Sequence, residues 1–157
     1  MLEKILETLK EQGVRLPAGN ISIGGFGDSE ALSTELISLI LAGTKRGTCS
    51  LLWSWEFDGE TPPVAGDLEI VLDYADRPVL IRRTTHVAII PFNSVSADFA
   101  ASEGEGDLSL DYWRREHWQF FSRECTRIGR EIDEAMPLVC ETFEVLDVFG
   151  LPGAQHV

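Results

Sequence analysis

The sequence predicts an α+β fold with an antiparallel or mixed sheet. Three observations lead to this prediction: a length of 157 residues, a change from helical to alternating spacing of the apolar residues, and no regular β-α-β order. With 44% hydrophobic and 25% charged residues, the composition is typical of a globular protein. We expect one domain, with an N-terminal helical extension at 1–20, a core at 24–148 and a tail at 150–157.

Two helices are predicted in the first third of the chain. The first has helical spacing of its apolar residues Leu2, Ile5, Leu6 and Leu9. It ends at Gly13, and a loop through Pro17 follows. The apolar stripe of the second helix consists of Leu32, Leu36, Leu39 and Ile40. Asp28 or Ser29 is its predicted N-cap and Gly43 its C-cap, because a left-handed position suits glycine.

Strands are predicted where apolar residues alternate along the chain. The first two alternating sets are Trp53, Trp55 and Phe57, and then Leu68, Ile70 and Leu72. A turn at 76–78 joins the second set to a long strand from Val79 to Ile90, and the last strand runs from Pro137 to Val148. Between the last two strands we expect a short helix near 94–101, an acidic glycine-rich loop at 103–107, and a helix with one apolar side, formed by Leu110, Trp113, His117, Phe120 and Phe121.

The charge and the cysteines of the chain limit its partners and location. The formal net charge is −13, whereas proteins that bind duplex nucleic acid present a basic surface to the phosphates. We therefore expect no binding to duplex DNA, and a nucleoside, a short oligonucleotide or a small metabolite as ligand. No apolar run approaches the ~20 residues of a membrane span, and the charged N-terminus does not resemble a secretion signal. Three widely spaced cysteines form no CxxC pair and suit a reducing cytoplasm.

Four blocks of the chain resemble the ASCH domain family. In the first block, Leu41–Trp53, a helix ends at glycine and a Lys-x-x-Thr motif, Lys45 to Thr48, opens a strand. The other blocks resemble the longer bacterial branch of the family: Phe26–Ser29, Arg83–Val87 and Glu103–Trp113. They occur in the family's order and cover about residues 24–146. The ordered set is therefore more specific than any single block.

The resemblance implies a small PUA-like β-barrel of mixed or antiparallel strands, flanked by helices. Family members are described as RNA-binding modules, as ribonucleases and as amidohydrolases that deacetylate acetylcytidine. We expect a hydrolase that cleaves an amide on an acetylated cytidine-like nucleoside or a phosphodiester in single-stranded RNA. The alternative is a non-catalytic RNA-binding or regulatory module that uses the same cleft. The chain departs from the family pattern at Thr44, Arg46 and Gly47, which leaves the exact substrate open.

With this resemblance, Lys45, Thr48 and Glu105 are the expected catalytic residues. A lysine in a partly dry cleft can act as a base, and a hydroxyl beside it can attack or orient a water. Glu105 matches the family's Glu-Gly before a helix, and a carboxylate there can pass a proton to a leaving nitrogen. Glu103, in the same loop, is its rival. The structural alternatives are a lysine that stabilises a helix C-terminus and an acidic loop that stabilises the next helix N-terminus.

Further residues are candidates for binding the substrate. Arg82 and Arg83 face opposite sides of a strand, so one of them can line a cleft, and Arg83 matches the family better. Phe26 and Asp28 can close one side of a pocket, although Asp28 fits a helix cap equally well. A base can stack on aromatic side chains, although core packing is their more common role; the candidates are Trp53, Trp55, Tyr112 and Trp113.

The sequence requires no cofactor. It contains no P-loop, GxGxxG or GxSxG motif, and its histidines, His86, His117 and His156, have no metal-ligand spacing. A divalent ion held by Glu105, Asp107 and water is compatible with the sequence but not demanded by it. His117 lies on the apolar side of its helix, which predicts a buried, hydrogen-bonded histidine.

Overall fold

Five α-helices and five β-strands make up residues 1–150, the part of the chain that the computed structural model describes. In chain order they are α1 (Leu2–Glu11), β1 (Ile21–Gly24), α2 (Glu30–Leu41), β2 (Gly47–Leu51), α3 (Leu52–Phe57), β3 (Leu68–Leu72), β4 (Pro78–Pro91), α4 (Ala97–Ser102), α5 (Leu110–Ile128) and β5 (Pro137–Val148). A 3-10 turn, Phe92–Ser94, precedes α4. The predicted α+β class is confirmed. Beyond Gly150, the predicted tail lies outside the described residues.

The strands form one mixed sheet in the order β1-β3-β4-β5-β2, in which only β1 and β3 are parallel. This sheet is not closed into the expected barrel: within residues 1–150 the ladder leaves β1 and β2 as separate edges. The register gives the reason. β3 pairs with residues 78–83 of β4, whereas β2 pairs with residues 138–142 of β5, which lie opposite residues 86–90 of β4. The two edges therefore lie at opposite ends of a long two-stranded ribbon.

The aromatic run at 53–57 is helical, which corrects the prediction of a strand there. β2 ends at the buried Leu51, and the chain turns directly into α3. Residues two apart on a helix point about 200° away from each other. Trp53 therefore packs on a hydrophobic core, while Trp55 lines a cavity. Short aromatic runs fit either element, and here tertiary packing decides between them.

The structure also contains one strand that the sequence pattern did not predict. β1 is only four residues long, contains just two apolar residues, Ile21 and Ile23, and ends in the glycine-rich loop before α2. Such a short edge strand is stabilised by its pairing with β3 rather than by its own sequence. Ser29, not Asp28, is the N-cap of α2, since its side chain accepts a hydrogen bond from the backbone N–H of Leu32.

Alternation along β3 assigns the two faces of the sheet. Leu68, Ile70 and Leu72 pack with Ile5 and Leu9 of α1 on one face. Val71, on the other face, packs in a cluster with α2. Glu69 lies on the same side as Val71 because residues two apart share a face. A third cluster joins α5 to β2 and β5. None of the helices in residues 1–150 has the length and apolarity that a bilayer span requires.

Candidate functional site

A cavity of about 490 Å³ lies between α2, α5 and the sheet. The loops before α2 and before α5 close its sides, and β2, β3, β4 and β5 contribute to its walls. Its size is within the range of sites for small molecules. The lining contains seven carboxylates and only three lysine or arginine side chains, so the cavity carries a net negative charge.

Lys45 is buried at the junction between α2 and β2, with 1% of its surface exposed. Its Nζ lies 2.8 Å from the carbonyl oxygen of Gly47 and 3.2 Å from a carboxylate oxygen of both Glu103 and Glu105. All of these neighbours are acceptors, so the amine is held as a charged ammonium that donates to them. The arrangement favours a role as donor and positive charge over the expected role as a base.

Glu103 is the C-cap residue of α4 and is buried at the centre of a group of donors. Its carboxylate accepts hydrogen bonds from Lys45, from the indole N–H of Trp113 and from the thiol of Cys49, and lies 3.1 Å from Nε2 of His117. Burial alone would raise the pKa of Glu103, but the hydrogen bond from His117 and the charge of Lys45 lower it to about 2. Glu103 is therefore ionised and fixed.

Glu105 shares Lys45 with Glu103 but remains accessible, since a quarter of its side chain is exposed and it lines the cavity. It is presented by a tight loop in which Gly104 and Gly106 both have positive φ angles. A Cβ atom at Gly104 would lie 2.5 Å from the carbonyl oxygen of Thr44, so only glycine permits this close approach to the Lys45 segment. Thr48, half-buried on β2, lines the same cavity. The structure thus brings Lys45, Thr48 and Glu105 together.

His117 is half-buried and lines the cavity, whereas the sequence predicted a histidine buried in the core. Its Nδ1 lies 2.8 Å from the carbonyl oxygen of Trp113, one helical turn earlier. Burial lowers the pKa of His117, but the hydrogen bond to Glu103 and the charge of that carboxylate outweigh burial and raise it.

Arg82 forms the second charged group of the site, and it was not the arginine selected from the sequence. Its guanidinium donates to Glu69 at 3.1 Å and to Glu141 at 2.8 Å, and Glu141 also accepts from Thr84 at 3.1 Å. Burial lowers the pKa of Arg82, yet the charges of Glu69 and Glu141 raise it on balance. The ring of Phe26, which lines the cavity, lies 5.4 Å from this guanidinium and 5.9 Å from Nζ of Lys45.

Arg83 lies outside the cavity, so the structure does not bring it together with the other predicted site residues. Its side chain is 46% exposed and pairs with Glu144 across the strands. The alternation of β4 places Arg82 inward and Arg83 outward, and sequence alone could not decide which faced the site. Asp28 does line the cavity, at an exposed position 3.8 Å from Arg123.

Aromatic side chains form part of the cavity wall, but they are not all those expected. Tyr112, Trp55 and the exposed Phe120 line the cavity. Trp53 does not: it packs on the core beside α5, with the guanidinium of Arg130 3.7 Å from its ring centre. The candidate for base stacking on α3 is therefore Trp55, whose indole N–H donates to Ser50.

One group of side chains has the composition of a metal site. Among residues 1–150, Cys49, Glu103 and His117 have ligand atoms within 4.8 Å of one another. Glu103 already accepts from several donors, and both ring nitrogens of His117 face acceptors. Burial and the charge of Glu103 raise the pKa of Cys49 well above its ordinary value, so the thiol keeps its proton. In this structure the three side chains are joined through the carboxylate of Glu103, which receives the thiol of Cys49 and faces Nε2 of His117.

Glu105 and Asp107, the two residues considered from the sequence as ligands of a divalent ion, have separate partners in the structure. Glu105 pairs with Lys45, whereas Asp107 is exposed and accepts a hydrogen bond from the backbone N–H of Ser109 at 2.9 Å. That bond shapes the turn before α5, whose N-cap is Ser109 itself.

The α+β architecture, with a pocket between the helices and an open mixed sheet, matches that of ASCH domains, a PUA-like fold often linked to RNA binding. The chain belongs to the ASCH domain family, whose model matches residues 22–147. It is similar to an ASCH domain of Lactobacillus crispatus JV V101, with 39% identity, a TM-score of 0.78 and coverage of 92% of this chain and 90% of that one. It is also similar to a protein of Enterococcus faecalis V583, with 35% identity, a TM-score of 0.78 and coverage of 94% and 91%. No curated protein matches the chain.

Sequence reasoning missed the two carboxylates that pair with Arg82 in the cavity, Glu69 and Glu141. Glu69 and Glu141 each interrupt a strand whose other residues are largely buried, and Arg82 lies opposite Glu69 on the next strand. A single charged residue within a largely buried strand was the feature that could have indicated these residues, because a buried charge needs a partner of opposite charge. Their mutual pairing depends on a register that no local pattern gives.

Proposed function

We propose that this protein is a hydrolase that removes the acyl group from an acetylated cytidine-like nucleoside. The observation that supports this proposal most directly is the ion pair between Lys45 and Glu105, 3.2 Å long, at the wall of a cavity that Thr48 also lines. A fixed ammonium, an accessible carboxylate and a hydroxyl are the groups that amide hydrolysis needs.

The charge of the cavity favours an uncharged nucleoside over a phosphodiester. A phosphate entering this site would meet seven carboxylates and only three side chains of lysine or arginine. All three cations, Lys45, Arg82 and Arg123, already pair with carboxylates. Carboxylate oxygens instead accept hydrogen bonds from the amino groups of a base. Trp55, Tyr112 and Phe120 offer faces on which a base can stack. Duplex DNA is not a proposed partner.

In the proposed reaction, a water molecule or the hydroxyl of Thr48 attacks the carbonyl carbon of the amide. Glu105 accepts the proton of the attacking group, while Lys45 holds this carboxylate in place and stabilises the negative oxygen that develops. The C–N bond then breaks as Glu105 passes the proton to the leaving nitrogen. With water as the attacking group, the products are the free amino group and acetate. If Thr48 attacks instead, the amine leaves first and one water then hydrolyses the acetyl ester of Thr48: Glu105 takes a proton from this water and returns it to the Thr48 oxygen as acetate leaves.

A turnover assay by mass spectrometry on acetylated nucleosides and on a short single-stranded RNA tests the proposal. Wild type and the matched control Arg83→Ala, which changes an exposed arginine outside the cavity, should release acetate equally. Glu105→Gln should lose about 100-fold or more in turnover, because it removes the proton carrier. Lys45→Ala should lose at least as much.

The outcomes separate the candidate functions. Undiminished acetate release by Glu105→Gln would refute the mechanism. Cleavage of RNA without deacetylation would identify a ribonuclease. Saturable, salt-sensitive RNA binding without any product would support the alternative, a recognition module that uses the same cavity. We also propose a cytoplasmic location, because the three cysteines are free and suit a reducing compartment.

A further inference from the structure

The imidazole of His117 lies between two hydrogen-bond acceptors. On one side, Nδ1 is 2.8 Å from the carbonyl oxygen of Trp113. On the other, Nε2 is 3.1 Å from Oε2 of Glu103. A carbonyl oxygen has no proton to donate, and Glu103 is an ionised carboxylate that also receives a proton donor from Lys45. Both ring nitrogens thus face acceptors, an arrangement that favours the doubly protonated, charged form of His117.

The protonation of His117 determines how the charges of the site are divided. Glu103 has two cationic neighbours, Lys45 and His117, and Glu105 has one, Lys45. While His117 is charged, it compensates Glu103, and the charge of Lys45 is available to Glu105. Without the charge of His117, Lys45 becomes the only cation beside two carboxylates. The buried Glu103 then competes more strongly for it, because charge attraction is greatest where water is excluded.

We propose that His117 is a positioning residue, which holds Glu103 from the side opposite Lys45 and so leaves Lys45 to fix Glu105 toward the cavity. This role rests on the proposed function, in which Glu105 transfers the proton. His117 acts through Glu103 and Lys45 and does not touch the reacting amide. If His117 has this positioning role, the geometry of Glu105 and the turnover should both change when His117 loses its proton.

The protonation of His117 depends on the charged groups of this cavity. The titratable groups that act on the pKa of His117 are Glu103 and Glu105. Cys49 has its sulfur within 4.8 Å of the ligand atoms of Glu103 and His117, and Lys45, Tyr112 and Glu116 line the same cavity. The hydrogen bond to Glu103 and the charges of Glu103 and Glu105 favour the charged imidazole. Since His117 lines the cavity, its proton exchanges with solvent without unfolding.

Proton NMR titration of the full chain tests the ion pair without any substrate. The chain has three histidines, so a His86→Gln, His156→Gln background leaves the His117 signal alone. We expect its midpoint above the ordinary value for histidine and a fall of that midpoint in Glu103→Gln. A midpoint at or below the ordinary value, or one unchanged by Glu103→Gln, would overturn the proposal.

Two further readouts test the positioning role. In wild type, the backbone amide resonance of Glu105 should shift with pH at the midpoint of the His117 titration. In His117→Gln, which keeps a neutral donor in the same place, this pH transition should be absent. An identical transition in His117→Gln would exclude the role even if the protein proves to have no amidohydrolase activity. If it is active, His117→Gln should lose roughly tenfold in turnover at neutral pH and lack the alkaline decline that follows the His117 midpoint in wild type. A wild-type pH profile in His117→Gln would contradict the proposal.

Discussion

Trp113 and His117, one turn apart on α5, both direct an N–H group at the same oxygen of Glu103, Oε2. Their rings are stacked, with centroids 4.3 Å apart and planes 15° from parallel. Residues four apart share a face of a helix, so both donors lie on the same side of α5 and their rings can stack. A single carboxylate at the end of α4 is thereby fixed to α5, and the short loop between these helices presents Glu105.

Stability in acid should depend strongly on Glu103. Its pKa is lowered from 4.5 to about 2 in the folded state, so its contribution is complete above pH 4.5 and is lost as pH falls toward 2. The shift corresponds to about 3 kcal/mol. Urea unfolding of wild type and Glu103→Gln between pH 6 and pH 2 measures it. The difference in unfolding free energy between the two should shrink across this interval, and a constant difference would contradict the assignment.

Neighbouring arginines on β4 should differ sharply in their effect on stability. Arg82→Met leaves Glu69 and Glu141 without their shared cation in a buried place, and we expect a loss of about 3–5 kcal/mol. Arg83→Met breaks only an exposed pair with Glu144 and should cost about 1 kcal/mol or less. Urea denaturation of both variants provides the comparison. Equal losses would mean that the buried pairs do not hold the sheet as described.

Substitution of Gly104 should cost more than backbone strain alone. Gly59→Ala is the matched control, because Gly59 also has a positive φ but open space around its Cβ position. The control should lose about 1–2 kcal/mol from the left-handed conformation. Gly104→Ala adds a clash with the backbone of Thr44 and should lose on the order of 3 kcal/mol or more. Thermal unfolding of both variants tests this, and a Gly104→Ala protein as stable as the control would argue against the tight loop.

The cysteines of the folded protein should react slowly with alkylating reagents. Burial raises the pKa of Cys49 well above its ordinary value and that of Cys140 to about 12, and the charge of Glu103 adds to both effects. The thiolate is the reactive form, so little of it exists at pH 8. Mass spectrometry after iodoacetamide treatment should find these two residues unmodified in native protein and modified in urea. Cys49 is only half-buried and lines the cavity, so rapid labelling of this residue in the native state would refute a thiol that keeps its proton.

Local sequence patterns were sufficient for the elements whose apolar residues follow a clear period. β3, β4, β5 and the helices α2 and α5 each contain enough repeats of their apolar period to be recognised. They were insufficient for β1 and α3, which are four and six residues long and depend on neighbouring elements for their conformation. Resemblance to the family, rather than periodicity, selected Lys45, Thr48 and Glu105, and these residues do line one cavity.

The remainder of the site could not be predicted because it depends on tertiary placement. Alternation limits Arg82 and Arg83 to opposite faces, but the packing of α2 over the sheet decides which face is the cavity. The role of His117 depends on the approach of Glu103 from another helix. Sequence showed only an apolar helix face around this histidine, and nothing local indicated a carboxylate beside it.

The separation of β1 and β2 at opposite ends of the ribbon has a consequence for solubility. An open sheet exposes unpaired N–H and C=O groups along both edges, which can recruit strands of other molecules. Here the edge strands β1 and β2 are only four and five residues long, so a strand of a second molecule could form few backbone hydrogen bonds with either edge. Short, widely separated edges thus limit strand-to-strand aggregation without the closure of a barrel.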